Sequence, residues 1–316
     1  MKIIIKSILG ISFLVGSLFN ISYSYADYPD KPINLYVAYK AGGSADALAR
    51  QFAKTIEKQQ GWKFIVNNYP GADGSVMATK LKYAKADGYT LGFSVSSSFH
   101  MNPILNEKSK YAVEDFTYVA APAEVQLAVV ALNNRGWKDL DDAAQHAKEN
   151  GGLSIAAQAQ DQRLAAERIA KHYGIEVQIV PTKGGAGSLA QVMGGHIDLA
   201  ILAGPQVPYV KSGDMVELAL LTEERSPYSP QTKTLKEHGI DWGIENYFQF
   251  TAPKGIPAEL ANKIFRAIED AMQTPEMQQL AGERLRLGIE RTLGPADLNA
   301  YILSTNKALK HEFGSK

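Results

Sequence analysis

Apolar and polar positions change period at regular intervals along this chain, and each change marks an element. Leu35, Tyr36 and Val37 form a short apolar run that ends in Lys40-Ala41-Gly42-Gly43-Ser44-Ala45-Asp46. Beyond it Leu48, Phe52 and Ile56 recur at i, i+4 and i+8 beside Ala49 and Ala53, while Arg50, Lys54 and Glu57 fall elsewhere, which predicts an amphipathic helix. Ser44 is its expected N-cap. Gly61 closes the helix, and Lys63-Phe64-Ile65-Val66 reads as a strand of aromatic and β-branched residues. A loop at Asn67-Asn68-Tyr69-Pro70-Gly71, a helical stretch over residues 76–84, a turn at Asp87-Gly88 and a strand from Tyr89 to Ser94 follow. This βαβαβ order predicts a mainly parallel sheet covered by helices on both faces.

The pattern restarts near Gln126, with Leu127 to Leu132 as a buried strand, a helix over Leu140 to Lys148 and a strand from Leu153 to Ala156. Strands at Val177 to Pro181 and Leu199 to Leu202 continue it. Ligands of open α/β sheets sit at the carboxyl ends of strands, so two such sheets facing each other predict a cleft. Its lining would be the Gly42 loop, the Ser94–Ser98 loop, the Ala157–Gln162 loop and the Gly184-Gly185 loop. The expected fold is a two-lobed α/β protein of the Venus-flytrap type, with residues 27–124 and 246–316 in one lobe and 125–245 in the other. No repeat of fixed period and no low-complexity linker marks the boundaries.

Export is expected from the first residues. Lys2 and Lys6 precede an apolar run from Ser7 to Phe19, and Ser24 and Ala26 form a small-x-small cleavage pattern, which predicts a signal peptide removed after Ala26 and a periplasmic location. An uncleaved anchor is the alternative, against which the run falls short of the roughly 20 residues that span a bilayer. Residues 1–26 hold two of the 33 basic side chains and no acidic one, so the remaining 290 residues carry a formal charge of −2. That balance speaks against a nucleic-acid partner. With no cysteine, disulfides, thiolate catalysis and cysteine-based metal sites are excluded.

The glycine pair Gly42-Gly43 between a strand and a helix places orphan N–H donors and the positive end of a helix dipole at one point, which suits a carboxylate, sulfonate or phosphate. The same pattern is equally that of an ordinary βα turn. Enzyme signatures are missing: Gly92-x-Ser94-x-Ser96 lacks the last glycine of a nucleophile elbow, and the six histidines show no metal-ligand spacing. The glycine loop is neither a dinucleotide fingerprint nor a phosphate loop, so no cofactor, metal or catalytic residue is expected.

Taken in order, a series of fragments resembles one family. Tyr28-Pro29 with Lys31-Pro32-Ile33, Gly42-Gly43-x-x-Asp46, Asn68-x-Pro70-Gly71-Ala72 and Ala86-Asp87-Gly88-Tyr89-Thr90-Leu91 open the series. Asn102-Pro103, Asp115-Phe116, Lys183-Gly184-Gly185-Ala186, Gly194-Gly195-x-x-Asp198, Arg225-Ser226-Pro227 and Ala252-Pro253-x-Gly255-x-Pro257 continue it over nearly the whole chain. Each is weak alone; their order and spacing resemble the tripartite tricarboxylate transporter receptors, often called Bug receptors. The resemblance implies a monomeric periplasmic receptor that captures a small organic acid and delivers it to membrane permease subunits, without chemistry. A periplasmic sensor presenting its ligand to a membrane kinase ectodomain is the alternative from another class, and a hydrolase the remote one.

The resemblance also implies that a ligand carboxylate is held by backbone N–H groups of the first loop and of a loop in the second lobe. Matched here, the first loop supplies Tyr39, Lys40, Ala41, Gly42, Gly43, Ser44 and Asp46. Ser94, Ser96 and Ser97 stand in the hydroxyl-rich third loop, and Gly184, Gly185 and Ala203 face from the second lobe. Two departures from the family pattern concern specificity. Lys40 puts a cation where relatives mostly carry a small residue, either reaching a second acidic group or lying on the cleft rim with its head in water. Gln158, Gln160 and Asp161 replace a Gly/Ser/Thr-rich stretch, either bonding a ligand hydroxyl, amide or ammonium or, for Asp161, capping the next helix.

Overall fold

The computed structural model describes residues 28–106, 109–182, 184–242 and 244–314; the expected signal peptide and its cleavage site lie outside them. The first half runs β1 (Ile33–Val37), α1 (Ser44–Gln60), β2 (Phe64–Asn68), α2 (Ser75–Lys82), β3 (Thr90–Val95), the short helices α3 (Ser97–His100) and α4 (Asn102–Leu105), and β4 (Phe116–Glu124). The chain then builds β5 (Ala128–Leu132), α5 (Leu140–Asn150), β6 (Leu153–Ala157), α6 (Gln160–Tyr173), β7 (Val177–Pro181), α7 (Gly185–Met193), β8 (Leu199–Leu202), α8 (Val207–Ser212) and β9 (Met215–Leu220). It returns through β10 (Tyr247–Pro253) to α9 (Ala258–Met272), α10 (Pro275–Gln278) and α11 (Pro295–Phe313).

Two five-stranded sheets result, in the orders β2-β1-β3-β10-β4 and β7-β6-β8-β5-β9. In each, three strands pair in parallel, and the first strand built after the chain crosses over, β10 or β5, inserts antiparallel between two of its neighbours. Four of the five strands in each sheet run the same way, as expected of a mainly parallel sheet, and the one inserted antiparallel strand makes both sheets mixed. An insertion made by a strand arriving from the other lobe leaves no trace in the local βα order. The two sheets share one topology, so the repeat missing from the sequence exists in the fold.

The helical reading of α1 holds because its apolar stripe is buried: Leu48, Phe52 and Ile56 are each 1% exposed. Phe52 meets Phe250 edge-on at 5.1 Å, and Phe93 stacks on Phe248 at 5.8 Å, so the returning strand β10 closes the core of the first sheet. Gly61 ends the helix in the left-handed conformation, its amide bonded to Glu57 O. Among the described residues, no helix is long and apolar enough to cross a membrane.

Candidate functional site

Strand β1 delivers the chain to the turn at Ala41-Gly42, and Gly42 takes φ +90°, where a side chain would be strained. Its amide donates to Asp46 Oδ2 at 3.0 Å. Asp46 is buried and also accepts from Arg50 Nε at 2.9 Å and from Asn68 Nδ2 at 2.9 Å. Burial opposes its ionisation, but these three donors outweigh burial and hold its carboxyl below the usual aspartate range. Asn68 Nδ2 bonds Tyr39 O as well, so Asp46 and Asn68 fix the loop rather than face the cleft. Ser44 is not the N-cap. Gly43, in an extended conformation, occupies that position without a side-chain bond, and the Ser44 hydroxyl donates instead to Ala203 O in the other lobe at 3.2 Å.

In the second lobe α7 begins at the turn Gly184-Gly185, with Gly184 at φ +96°. The amides of Gly187 and Ser188 are the first to donate back, to Gly184 O. In α1 the corresponding first bond runs from Ala47 N to Gly43 O. The amides that precede these bonds have no intrahelical acceptor. A third helix start, α6, follows β6; Gln158 N donates to Gln162 Oε1 at 2.9 Å, while Gln158 Oε1 is buried without a partner.

These starts converge on an interlobe cavity of about 440 Å³. Tyr39, Lys40, Ala41, Gly43 and Ser44 line it from one side, and Gln158, Asp161, Gly184, Gly185 and Ala203 from the other. Val95, Val125, Leu127 and Phe248 add an apolar floor. A second chamber of about 590 Å³ shares Tyr39, Lys40, Gln158 and Gly184 with the first and adds Gln160, Asp73 and Arg163. Lys40 is exposed at the boundary of the two. Of the other expected residues, Gly42 and Asp46 support the loop from outside the lining.

Ser94, Ser96 and Ser97 are buried beneath the cavity. Ser94 bonds Ser98 at 2.8 Å, and Ser98 reaches the Tyr39 hydroxyl at 3.3 Å. Ser96 Oγ and Ser97 N both donate to Asn246 Oδ1, at 2.7 and 3.0 Å. Asn246 lines the cavity and passes the connection across the cleft, donating through Nδ2 to Asp161 Oδ2 at 2.6 Å. Asp161 therefore does not cap α6, whose N-cap is Ala159. Burial raises its carboxyl above the usual aspartate range. The lobes are joined further by the Asp73–Arg163 ion pair and by Gln160 Nε2 donating to Leu105 O at 3.3 Å. Sequence reading missed Asn246, Asp73 and Arg163, whose partners across the cleft lie 85 or more positions away.

Two similar lobes meeting at a cavity rimmed by helix starts are the fold of the two-lobed binding proteins. Residues 48–286 match the tripartite tricarboxylate transporter family receptor, and the chain belongs to this family. It is 29% identical over 254 residues to protein BugT of Bordetella pertussis, covering 78% of each chain. Among solved structures it resembles the periplasmic binding protein BugD, at TM-score 0.81 and 23% identity over 91% of this chain and 99% of that one. It also resembles Rpa4515 of R. palustris with adipate, at TM-score 0.82 and 23% identity over 90% and 97% of the two chains. The structural neighbours are binding proteins.

Proposed function

We propose that this receptor captures a small organic acid between its lobes in the periplasm and delivers it to the membrane permease subunits of a tripartite transporter. The observation that carries the reading is the convergence of the α1 and α7 starts, one from each lobe, on a single cavity. Orphan amides and two helix dipoles hold a carboxylate without a buried countercharge, each dipole contributing about 0.3–2 kcal/mol. Because the two starts belong to different lobes, the bound anion bridges them and favours closure. A micromolar ligand needs only about −8 kcal/mol, which a few charge-assisted hydrogen bonds supply. The adipate held by Rpa4515 is consistent with this ligand class.

The test is a thermal-shift screen of residues 27–316 against mono-, di- and tricarboxylates, amino acids and sulfonates, since a ligand that binds only the folded state raises its melting temperature. A shift with one acid, weakened at least tenfold in affinity by Gly42→Val, supports the reading; valine at φ +90° costs about 1–3 kcal/mol and re-aims the turn that presents the Gly43 and Ser44 amides. Absence of a shift, with native mass spectrometry showing no retained ligand, speaks against it.

A further inference from the structure

The cavity walls described so far offer donors, and two acceptors break that pattern. Asp161 is 2% exposed and lines the cavity. Its Oδ2 accepts from Asn246, whereas its Oδ1 is buried with no partner at hydrogen-bonding geometry, the backbone N–H groups of Asp161 and Gln162 at the start of α6 adding only a weaker stabilisation of the carboxylate. Gln158 Oε1, on the same wall, is likewise buried with no donor. Arg163, two positions along, directs its guanidinium to Asp73 and Gln160. A buried carboxylate oxygen and a buried amide oxygen left without donors carry a desolvation penalty that a ligand can remove.

Resting on the receptor reading above, we infer that the ligand is zwitterionic: an amino carboxylate whose carboxylate meets the amides at the starts of α1 and α7 and whose ammonium donates to Asp161 and Gln158. An ammonium has three donors, so it satisfies both acceptors at once and brings a charge opposite to that of the buried aspartate. A hydroxyl brings one donor and no charge. The rest of the cavity selects the body of the ligand. Val95, Val125, Leu127 and Phe248 offer hydrocarbon between the polar walls, which suits an aliphatic or aromatic side chain.

Matched ligand pairs test this by isothermal titration calorimetry at pH 7.5. L-leucine is compared with 4-methylpentanoate and with 2-hydroxy-4-methylpentanoate, and L-phenylalanine with 3-phenylpropanoate, with succinate and adipate alongside. The expected result is that at least one amino acid binds 30-fold or more tightly than its desamino and hydroxy partners. Asp161→Asn is expected to reduce that preference below threefold. Asparagine can still accept from Asn246, and circular dichroism checks the fold; the wild-type comparison stands without any variant. If desamino acids, hydroxy acids or diacids bind as well as or better than the amino acids, the zwitterion inference falls and the receptor reading stands. That outcome with the diacids is the one expected of a protonated Asp161 donating to a second carboxylate. If no acid of either kind binds, the zwitterion inference falls, and the receptor reading is decided by the wider thermal-shift screen with native mass spectrometry.

Discussion

Ser44 and Ala203 are 159 positions apart in sequence and 3.2 Å apart in space, hydroxyl to carbonyl, across the cleft. The contact depends on the next residue, Gly204. A Cβ there would stand 2.9 Å from Ser44 Oγ and 3.2 Å from Leu285 Cδ2, on a backbone at φ +97°. The first turn of α1 thus combines two roles: its residues line the cavity and its first side chain ties one lobe to the other.

Removing the tie weakens the closed state without touching either core. A neutral hydrogen bond contributes about 0.5–1.5 kcal/mol, so Ser44→Ala is expected to raise the Kd of whichever acid the screen identifies by about 2- to 12-fold. Gly204→Ala adds a steric block and is expected to exceed that range. Calorimetric titration measures both, and equal affinity in Ser44→Ala and wild type would show that the bond does not contribute to closure.

The Asp73–Arg163 pair crosses the cleft with Asp73 the more buried partner, 11% exposed against 27% for Arg163. Burial pushes the Asp73 carboxyl up to about 6 in spite of the guanidinium beside it. A raised carboxyl favours the folded state below the unfolded value and loses that contribution as pH rises through about 6. Without Arg163 the carboxyl rises further and the loss extends to higher pH. Arg163→Ala is therefore expected to be destabilised relative to wild type by about 1–3 kcal/mol at pH 8 and by less at pH 5. Urea unfolding at the two pH values measures the difference; a deficit that does not change with pH contradicts it.

How much of this was legible in the sequence depended on distance along the chain. The stripe Leu48, Phe52, Ile56 and the strands Val177–Pro181 and Leu199–Leu202 lie where local periodicity put them, because burial of one face is a local demand. Strand ends moved by one or two residues, as with Phe64–Asn68. The serines of the third loop were legible as hydroxyls but not as buried ones. Ser94 is satisfied locally by Ser98, but Asn246, the partner of Ser96 and Ser97, arrives with the returning chain about 150 positions later, and that pairing makes their burial inexpensive. Ser44 obeyed composition statistics for an N-cap, yet its hydroxyl found a carbonyl in the other lobe, which local sequence cannot encode.

Glu124 ends β4, where the chain leaves the first sheet, and burial, aided by repulsion from Glu245 and Glu290, pushes its carboxyl up to about 7. Its contribution to stability is present below the unfolded value of about 4.5 and is lost as pH rises through about 7. Glu124→Gln keeps an acceptor for Gln126 Nε2 and removes the charge. The variant is expected to match wild type at pH 5 and to exceed it by on the order of 1 kcal/mol at pH 8. Thermal unfolding across this range checks it, and a wild-type advantage at pH 8 runs against the argument.

His100 carries the opposite sign. It is fully buried, neither ring nitrogen has a partner, and its ring stands edge-on to Tyr301 at 5.9 Å. Burial alone lowers its pKa from 6.5 to about 3. Between those values the unfolded chain binds a proton that the folded chain refuses, so stability falls as pH drops below about 6.5, by about 1.4 kcal/mol per pH unit once the unfolded histidine is fully charged. His100→Phe keeps an aromatic edge for Tyr301 and removes both unpaired nitrogens, at the cost of a slightly larger ring. At pH 7.5 the variant is expected to lie within about 1 kcal/mol of wild type. At pH 5 the wild type loses about 2 kcal/mol from this group and the variant none, so the variant gains by that amount relative to its own comparison at pH 7.5. Urea unfolding of both proteins at the two pH values isolates the effect, because every other titrating group is common to the pair. Parallel losses on acidification would mean that His100 is protonated within the fold, which its two unpaired nitrogens and complete burial oppose.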